Sequence, residues 1–514
     1  MPPLDPTPGL TPSSATGEEP GGLFAGRIPL QGRSVRQHAA RGAIVNAAFQ
    51  LVVMTLGLLK GVVVAAFLTP DQYGVWGILL ISLATVTWLK TVGASDKYVQ
   101  QSETDQERAF QEAFSYELVL TTVFALFFAA LLPLLAIVYG ESRLIAPGLV
   151  LALTIPLGAL QAPIWVFYRR MEFTKQRLLQ SVDPVVGLVV TVVLAATGSG
   201  YWSLVIGTVA GVAAGAVAAL LFASYRLVLR FDRGVARRYL SFSWPLVVAG
   251  ASSLVVAQGS VIIGEAELGL AGAGFISFAS AIAFYSTRVD AVLTQTLYPA
   301  ICAVKDRADL LFETFETSNR LALMWGVPFG LGLALFAPDF VEFVVGERWL
   351  PAVFLLQMFG FAMGIGHIGH NWDAFYRARG QTRPIAVWSA IGMLSFLAVP
   401  APLLLLEGLD AFAVGMGFMA LVSLGVRLVY LKKLFSAFRV IRYSARAIAP
   451  SVPAGAAVLL VRAIGNAERS GAVAVGEVAL YLAVTGICTL WLQRRLLREL
   501  CSYLRYVPAP SPGV

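Results

Sequence analysis

Charge is scarce along this chain. Asp, Glu, Lys and Arg make up 13% of its 514 residues, roughly half the share found in soluble domains. That is too little polar surface to cover a globule, so the solvent for most of the chain must be lipid. Cysteine is scarcer still: Cys302, Cys488 and Cys501 are odd in number and include no short-spaced pair, which leaves no disulfide framework and no zinc cluster. No Gly-x-x-x-x-Gly-Lys-Ser/Thr loop is present, so the chain carries no P-loop ATPase. Gly269, Gly272 and Gly274 are spaced loosely like a dinucleotide loop, but they open an apolar run instead of following a strand. Residues 1–40 contain no apolar run and are rich in Pro, Gly, Ser and Thr before turning basic. They are expected to form a disordered tail. The apolar segment after Arg41 is too long for a signal peptide.

What the chain has instead is hydrophobic length. It is 57% hydrophobic, with a mean hydropathy of +0.74. A spanning helix needs about 20 apolar residues, and fourteen runs qualify: 42–68, 73–95, 113–138, 145–167, 178–198, 201–225, 243–263, 270–298, 319–337, 351–375, 384–406, 410–430, 447–465 and 471–492. The expected fold is an all-α polytopic membrane protein with about fourteen transmembrane helices. Of its 38 Lys and Arg residues, 30 fall in the N-terminal tail, the C-terminal tail and the even-numbered links, and four in the odd-numbered links. By the positive-inside rule both termini are cytoplasmic. A net charge of +8 spread over these segments orients a chain and attracts lipid headgroups, so nucleic acid is not an expected partner.

A weak internal echo divides the chain. The first run, its turn and Gly74-Val75-Trp76-Gly77-Ile78 are matched by run 243–263, the acidic turn Gly264–Gly269 and Gly274-Phe275-Ile276-Ser277. Six helices separate the two starts, so the halves share one orientation. The expected organisation is a tail (1–40), an N-lobe of six helices (41–225) and a C-lobe of six (226–430). Two appended helices with a basic link (431–498) and a C-terminal tail (499–514) follow. Gly207, Gly211 and Gly215, and likewise Gly360 and Gly364, form small-xxx-small steps that let helices approach closely.

Polar residues inside apolar spans mark function or partners. In the first run Asn46, Gln50, Gly57, Lys60 and Gly61 fall within a sector about 100° wide when the helix turns about 100° per residue. That stripe is expected to line a cavity. In the eighth run Ser277, Tyr285, Arg288 and Gln295 gather similarly. Each half thus carries a cation on a polar stripe, an arrangement suited to an anionic substrate, with Tyr, Asn and Gln available to stack on and hydrogen-bond sugars. His367, His370 and Asp373 cluster in the tenth run. They are candidates for ion coupling, since His titrates near neutrality; no further residue suggests itself as a metal ligand. Arg348, with Glu347 beside it in a link, is expected to matter little.

Three stretches carry a family resemblance: Leu68-Thr69-Pro70-Asp71-Gln72-Tyr73-Gly74; Tyr285 to Asp290 with Leu297-Tyr298-Pro299-Ala300; and Gly346-Glu347-Arg348-Trp349-Leu350-Pro351-Ala352 with Leu356-Gln357. In this order the chain, from about Arg41 to Arg498, resembles the polysaccharide-transporter family. These are Wzx-type lipopolysaccharide and exopolysaccharide repeat-unit flippases of the multidrug/oligosaccharidyl-lipid/polysaccharide exporter superfamily. Where family members often carry Asp or Asn in helix 7, this chain has Gln258-Gly259-Ser260, so a role for an acid there is not carried over. The resemblance implies a multi-pass protein of the bacterial inner membrane, not an enzyme and without cofactors. It would move an undecaprenyl-diphosphate-linked oligosaccharide outward by alternating access, working among membrane lipids and beside a polymerase and a chain-length regulator. A drug or cation exporter of the same superfamily would have fewer helices and an acidic lumen. A polysaccharide polymerase or ligase would carry a large outer loop, and the longest outer link here, 338–350, is too small.

Overall fold

A computed structural model of the chain describes residues 35–89, 98, 105–170, 172–230, 233–304, 306–379, 381, 383–435, 444–445, 448–464 and 469–494. Among them are helices and no strand. The first half runs α1 (Val35–Phe67), α2 (Pro70–Leu89), α3 (Gln106–Val138), then the broken series α4 (Ile145–Ala152), α5 (Thr154–Ala159) and α6 (Pro163–Arg169), followed by α7 (Phe173–Ala196) and α8 (Trp202–Leu221). The second half runs α9 (Arg233–Ala303), α10 (Ala308–Phe340), α11 (Val353–Gly366), α12 (Trp372–Ala378), α13 (Arg383–Ala398), α14 (Pro400–Glu407) and α15 (Leu409–Leu434). Two further helices are α16 (Ser451–Ile464) and α17 (Gly471–Leu492).

Among the described residues, eleven helical stretches are long and apolar enough to cross a membrane, against the fourteen runs counted in the sequence. The difference has identifiable sources. α9 is one continuous element containing both the seventh and eighth runs. It reverses at Gly269, whose φ of 68° and ψ of −169° are not helical. Gly264 and Gly272 then face each other across the reversal: a Cβ on Gly272 would stand 2.5 Å from the Gly264 carbonyl oxygen. α16, at 14 residues, is short for a span, and α2 is not among the eleven.

The turn from α1 to α2 is built by its own sequence. Thr69 Oγ1 accepts from the Gln72 backbone N–H at 3.3 Å, and Gln72 Oε1 accepts from the Thr69 N–H at 3.2 Å. This is a reciprocal capping box, with Pro70 at the first helical position where its missing N–H costs nothing. α2 then packs along α9 at the most extensive contact between the two halves of the chain. The residues that echo each other in the sequence meet here. A Cβ on Gly74 would fall on the Leu270 carbonyl oxygen, one on Gly274 would fall on that of Pro70, and one on Gly77 would meet the Ser277 hydroxyl. Backbones this close tolerate only the smallest residues. Gln258, on the first arm of α9, adds hydrogen bonds to Thr85 Oγ1 at 2.5 Å and to the Ile81 carbonyl at 3.2 Å.

Beside this crossing sits an aromatic cluster. Trp349 is fully buried, with ring centroids 4.5 Å from Phe278, 5.4 Å from Tyr73 and 5.9 Å from Phe275. Its indole N–H donates to the Ala65 carbonyl at 3.0 Å. The Arg348 guanidinium donates to the carbonyl of Ala66, which corrects the expectation that this residue does little. It satisfies a carbonyl at the C-terminal end of α1 that has no partner within the helix. The link 341–352 therefore fastens α1, α2 and α9 together at one end of the bundle.

α16 and α17 are tied to α10 by charge. Arg462 bonds Asp339 at 3.0 Å and Glu477 at 2.9 Å, while Arg469 bonds the same two acids at 2.5 and 2.9 Å. Hydrogen bonds from Arg469 to Glu477 push its guanidinium further up, so it stays charged.

Gly274→Ala should lower the unfolding midpoint of the protein in detergent, because overpacking costs about 1–3 kcal/mol. Gly61→Ala, which meets nothing within 4 Å, should leave the midpoint unchanged.

Candidate functional site

A cavity of about 190 Å³ lies where α1, α7, α8 and the second arm of α9 converge, and Gly57, Lys60, Asp183, Gly187, Thr208 and Tyr285 are among its lining residues. α1 supplies Gly57 and Lys60 one turn apart on its polar stripe. Gly57 is there for space: a Cβ would stand 2.8 Å from Tyr285 Oη. Lys60 is half-buried, and the opposite charge it meets is Asp183.

Asp183 owes its position to two features of the first half. The first is the break in the series α4–α6. Residues 160–162 leave the helix, and from there the Gln161 amide donates to Asp183 and to the Val212 carbonyl at 3.3 Å. Irregular backbone inside a membrane is tolerated where it lines a cavity or is buried in protein. The second is the glycine stripe of α8. A Cβ on Gly211 would lie 2.6 Å from the Asp183 carbonyl oxygen and 2.7 Å from its Oδ1, and one on Gly215 would lie 2.8 Å from Gln161 Nε2. The small-xxx-small packing expected from the sequence thus brings a helix backbone against the one carboxylate of this cavity.

A second polar cluster stands apart, where α9, α10, α11 and α15 meet. The fully buried Asp290 places Oδ2 2.6 Å from His367 Nε2 and 3.5 Å from His370 Nε2. His367 Nδ1 is 2.6 Å from the Met363 carbonyl, and its ring lies over Gly326 so closely that a Cβ there would overlap it. The helix ends at Gly366 and resumes at Trp372. Between them Gly369 (φ 69°) and Asn371 (φ 51°) adopt left-handed conformations. Gly369 has no alternative residue, since a Cβ would also strike Leu431. Several of the groups released by the break are met from neighbouring helices. Arg427 of α15 donates to the carbonyls of Gly366 and, at 3.0 Å, Ile368; Asn319 donates to the His367 carbonyl at 3.0 Å and accepts from the Gly369 N–H at 3.2 Å.

The residues singled out in the sequence are distributed as follows. Lys60 and Tyr285 come together in the cavity. Gln50 is half-buried on α1 and is not among the cavity's lining residues. Ser277 is buried against Gly77 at the crossing of α2 and α9, a packing position. The side chains of Asn46, Arg288 and Gln295 lie outside the described residues. His367 and His370 are neighbours, but their carboxylate is Asp290. Asp373 instead pairs with Arg377 at 3.0 Å. Sequence reasoning passed over Asp183, Gln161, Asp290 and Arg427. For the two acids and Arg427 the signal was available, a charge inside an apolar run; for Gln161 it was not. Among the described residues no group of three or more His, Cys, Asp or Glu is arranged to hold a metal ion.

A family profile described as "Polysaccharide biosynthesis protein" matches residues 63–354. Lipopolysaccharide biosynthesis protein WzxC of Escherichia coli (strain K12) is 24% identical over 355 residues, covering 65% of this chain and 69% of that protein. Succinoglycan biosynthesis transport protein ExoT of Rhizobium meliloti (strain 1021) is 23% identical over 337 residues, covering 64% of this chain and 67% of that protein. Among solved structures, the lipid II flippase MurJ in an inward closed conformation superposes with a TM-score of 0.65 at 14% identity, covering 88% of this chain and all of the other. That likeness establishes the fold.

Arg427→Gln should destabilise the protein by roughly 2–4 kcal/mol, because its two bonds to carbonyls are worth about 1.5–3 kcal/mol each with a charged donor and a neutral amide replaces part of them. Arg427→Lys should recover only part of this, since an ammonium cannot reproduce the guanidinium fork. The unfolding midpoint in detergent checks both.

Proposed function

Because this chain belongs to the polysaccharide biosynthesis protein family, we propose that it is a flippase for a lipid-linked oligosaccharide, undecaprenyl-diphosphate-linked, in the bacterial cytoplasmic membrane. The observation that carries this reading is the cavity holding Lys60, Asp183 and Tyr285 between helices of the two halves. A sugar headgroup and a diphosphate cannot cross hydrocarbon unaided, whereas a polyprenyl tail can stay in it. A basic group in a protein cavity meets the anionic part, and an aromatic ring with amides nearby suits the sugar. Lys60 is the residue proposed to contact the diphosphate. Asp183 holds that ammonium in place when no substrate is bound and is displaced from it when one is.

The bias of Lys and Arg supports cytoplasmic termini. With that orientation the α1–α2 turn, the link 341–352 and the crossing of Gly74 with Gly274 lie on the outer side. Their close packing is then an outer closure, and outward release requires α2 and α9 to part. Two six-helix lobes rocking about the cavity would do this, with α16 and α17 following α10 through their four-charge network. The names of the relatives, a lipopolysaccharide biosynthesis protein and a succinoglycan transport protein, support surface polysaccharide as the pathway. A carboxylate in the same cavity also suits a cationic solute, so drug efflux is the rival reading. Unchanged drug susceptibility on expression favours the flippase.

In a flippase-deficient strain, Lys60→Ala and Lys60→Gln should reduce polymer export by ~10–100-fold at equal membrane levels, the equivalent of losing one charged hydrogen bond. Full complementation by both variants would overturn the role given to Lys60.

A further inference from the structure

The Asp290 cluster takes no part in the cavity, and its chemistry is of another kind. Asp290 is completely buried on the second arm of α9. Among the described residues no backbone, hydroxyl or amide donor reaches either of its oxygens. Among the described residues its nearest titratable neighbours are two imidazoles from the end of α11 and the break after it. The closer one approaches at 2.6 Å, off the line of an ideal hydrogen bond. A neutral imidazole has one nitrogen that donates and one that accepts. Both nitrogens of His367 are faced by oxygen: Nδ1 by the Met363 carbonyl at 2.6 Å, Nε2 by Asp290 Oδ2. With Nδ1–H given to Met363, a proton must lie between Nε2 and Oδ2, as an imidazolium facing a carboxylate or an imidazole facing a carboxylic acid. If that proton leaves, a lone pair meets a carboxylate at 2.6 Å in a dry site, and the two must separate.

We propose that Asp290, His367 and His370 form a single proton-binding site, whose occupancy sets how the broken helix α11–α12 sits against α9. The ligand is H⁺. On binding, a bond forms to Nε2 of His367 or to Oδ2 of Asp290 and the charge of the carboxylate is offset; on release the proton passes to His370 Nε2, 3.5 Å from the same oxygen and on the more exposed of the two rings, at 29% against 2%. The stacked rings, 5.7 Å apart and 25° from parallel, make His370 the step toward water. The other charges around the site are Arg427 of α15 and Asp373 of α12. Arg427 is committed to the carbonyls of Gly366 and Ile368, and Asp373 to Arg377. Asn319, Ser318 and Asn371 complete the lining without titrating, Asn371 Nδ2 donating to Ser318 Oγ at 3.2 Å.

The segment 366–371 is poised to move. It is held by its polar contacts to α10 and α15 and by the His367–Asp290 contact to α9. Losing the proton sets a lone pair against the carboxylate and leaves the other polar contacts in place, which loosens the packing of α9 on the broken helix at this point. α9 also forms the crossing with Gly74 and lines the cavity through Tyr285. Occupancy of this site would thereby reach both. That the proton drives transport rests on the flippase reading; that the site binds a proton does not.

Acid-minus-alkaline infrared difference spectra of the purified protein in lipid nanodiscs test the site without any substrate. The unaltered protein should show a carboxyl or carboxylate band coupled to imidazole bands. Asp290→Asn should remove one carboxyl component and the imidazole shift coupled to it, His367→Gln should remove the coupled imidazole component, and Asp410→Asn should leave that coupled pair of bands in place. A carboxyl component unchanged in Asp290→Asn overturns the proposal. So does an imidazole component unchanged in His367→Gln, should Asp290→Asn fail to fold. Polymer export by the same variants tests the coupling: a loss of at least tenfold at equal membrane levels is expected in Asp290→Asn. Full export by a variant that has lost its carboxyl band overturns the coupling and leaves the flippase reading intact. Failure of the unaltered protein to restore export overturns the flippase reading and leaves the infrared result standing.

Discussion

A charge or a free backbone group inside hydrocarbon has no water to meet it, so the protein must supply the partner itself. Most of what is distinctive in this structure follows from that constraint. Lys60 sits in an apolar helix, and Asp183 answers it from α7. Asp183 is reached in turn by an amide from a helix break and by the glycine face of α8. In the other half Asp290 is answered by His367 and His370, and the break that presents those rings is held by Arg427 and Asn319. Each half therefore sets a carboxylate against nitrogen beside a broken helix, half-buried Asp183 in the first and buried Asp290 in the second, with glycines making room for it.

The two clusters are joined by α9. Its second arm contributes Tyr285 to the cavity, Asp290 to the histidines and Gly274 to the crossing with α2. From Gly274 to Asp290 is 16 residues, about 24 Å of helix at 1.5 Å per residue. A rigid helix of that length carries displacement from one end to the other, and the opposing arm beyond Gly269 gives it a support against which to turn. Packing at the crossing is backbone on backbone, so the contact is either made or broken and has no soft intermediate.

The sequence disclosed the architecture well because hydrophobic length and basic links are strong signals. It also disclosed where the halves touch: Gly74–Gly77 and Gly274–Ser277 stood out as an echo, and in space they lie against each other. The site was harder to read. Treating helix 8 as a single wheel directed attention to the face of Arg288 and away from Asp290, which points at α11. His367 to Asp373 looked like continuous helix, and nothing local announced that residues 367–371 would leave it. Asp373 therefore appeared to belong with the histidines, whereas the turn carries it toward Arg377. Asp183 was hidden by its neighbours: set beside Pro184 in an apolar run, it reads as part of a span until its partner on α1 is known. Gln161 became visible only with the break between α5 and α6.

The central claim is that the cavity around Lys60 receives the anionic end of a lipid-linked substrate. Native mass spectrometry of the purified protein mixed with undecaprenyl diphosphate measures this most directly. Retention of the lipid by the unaltered protein and by Asp290→Asn, with loss by Lys60→Gln, is the expected result. Equal retention by the unaltered protein and Lys60→Gln would contradict it.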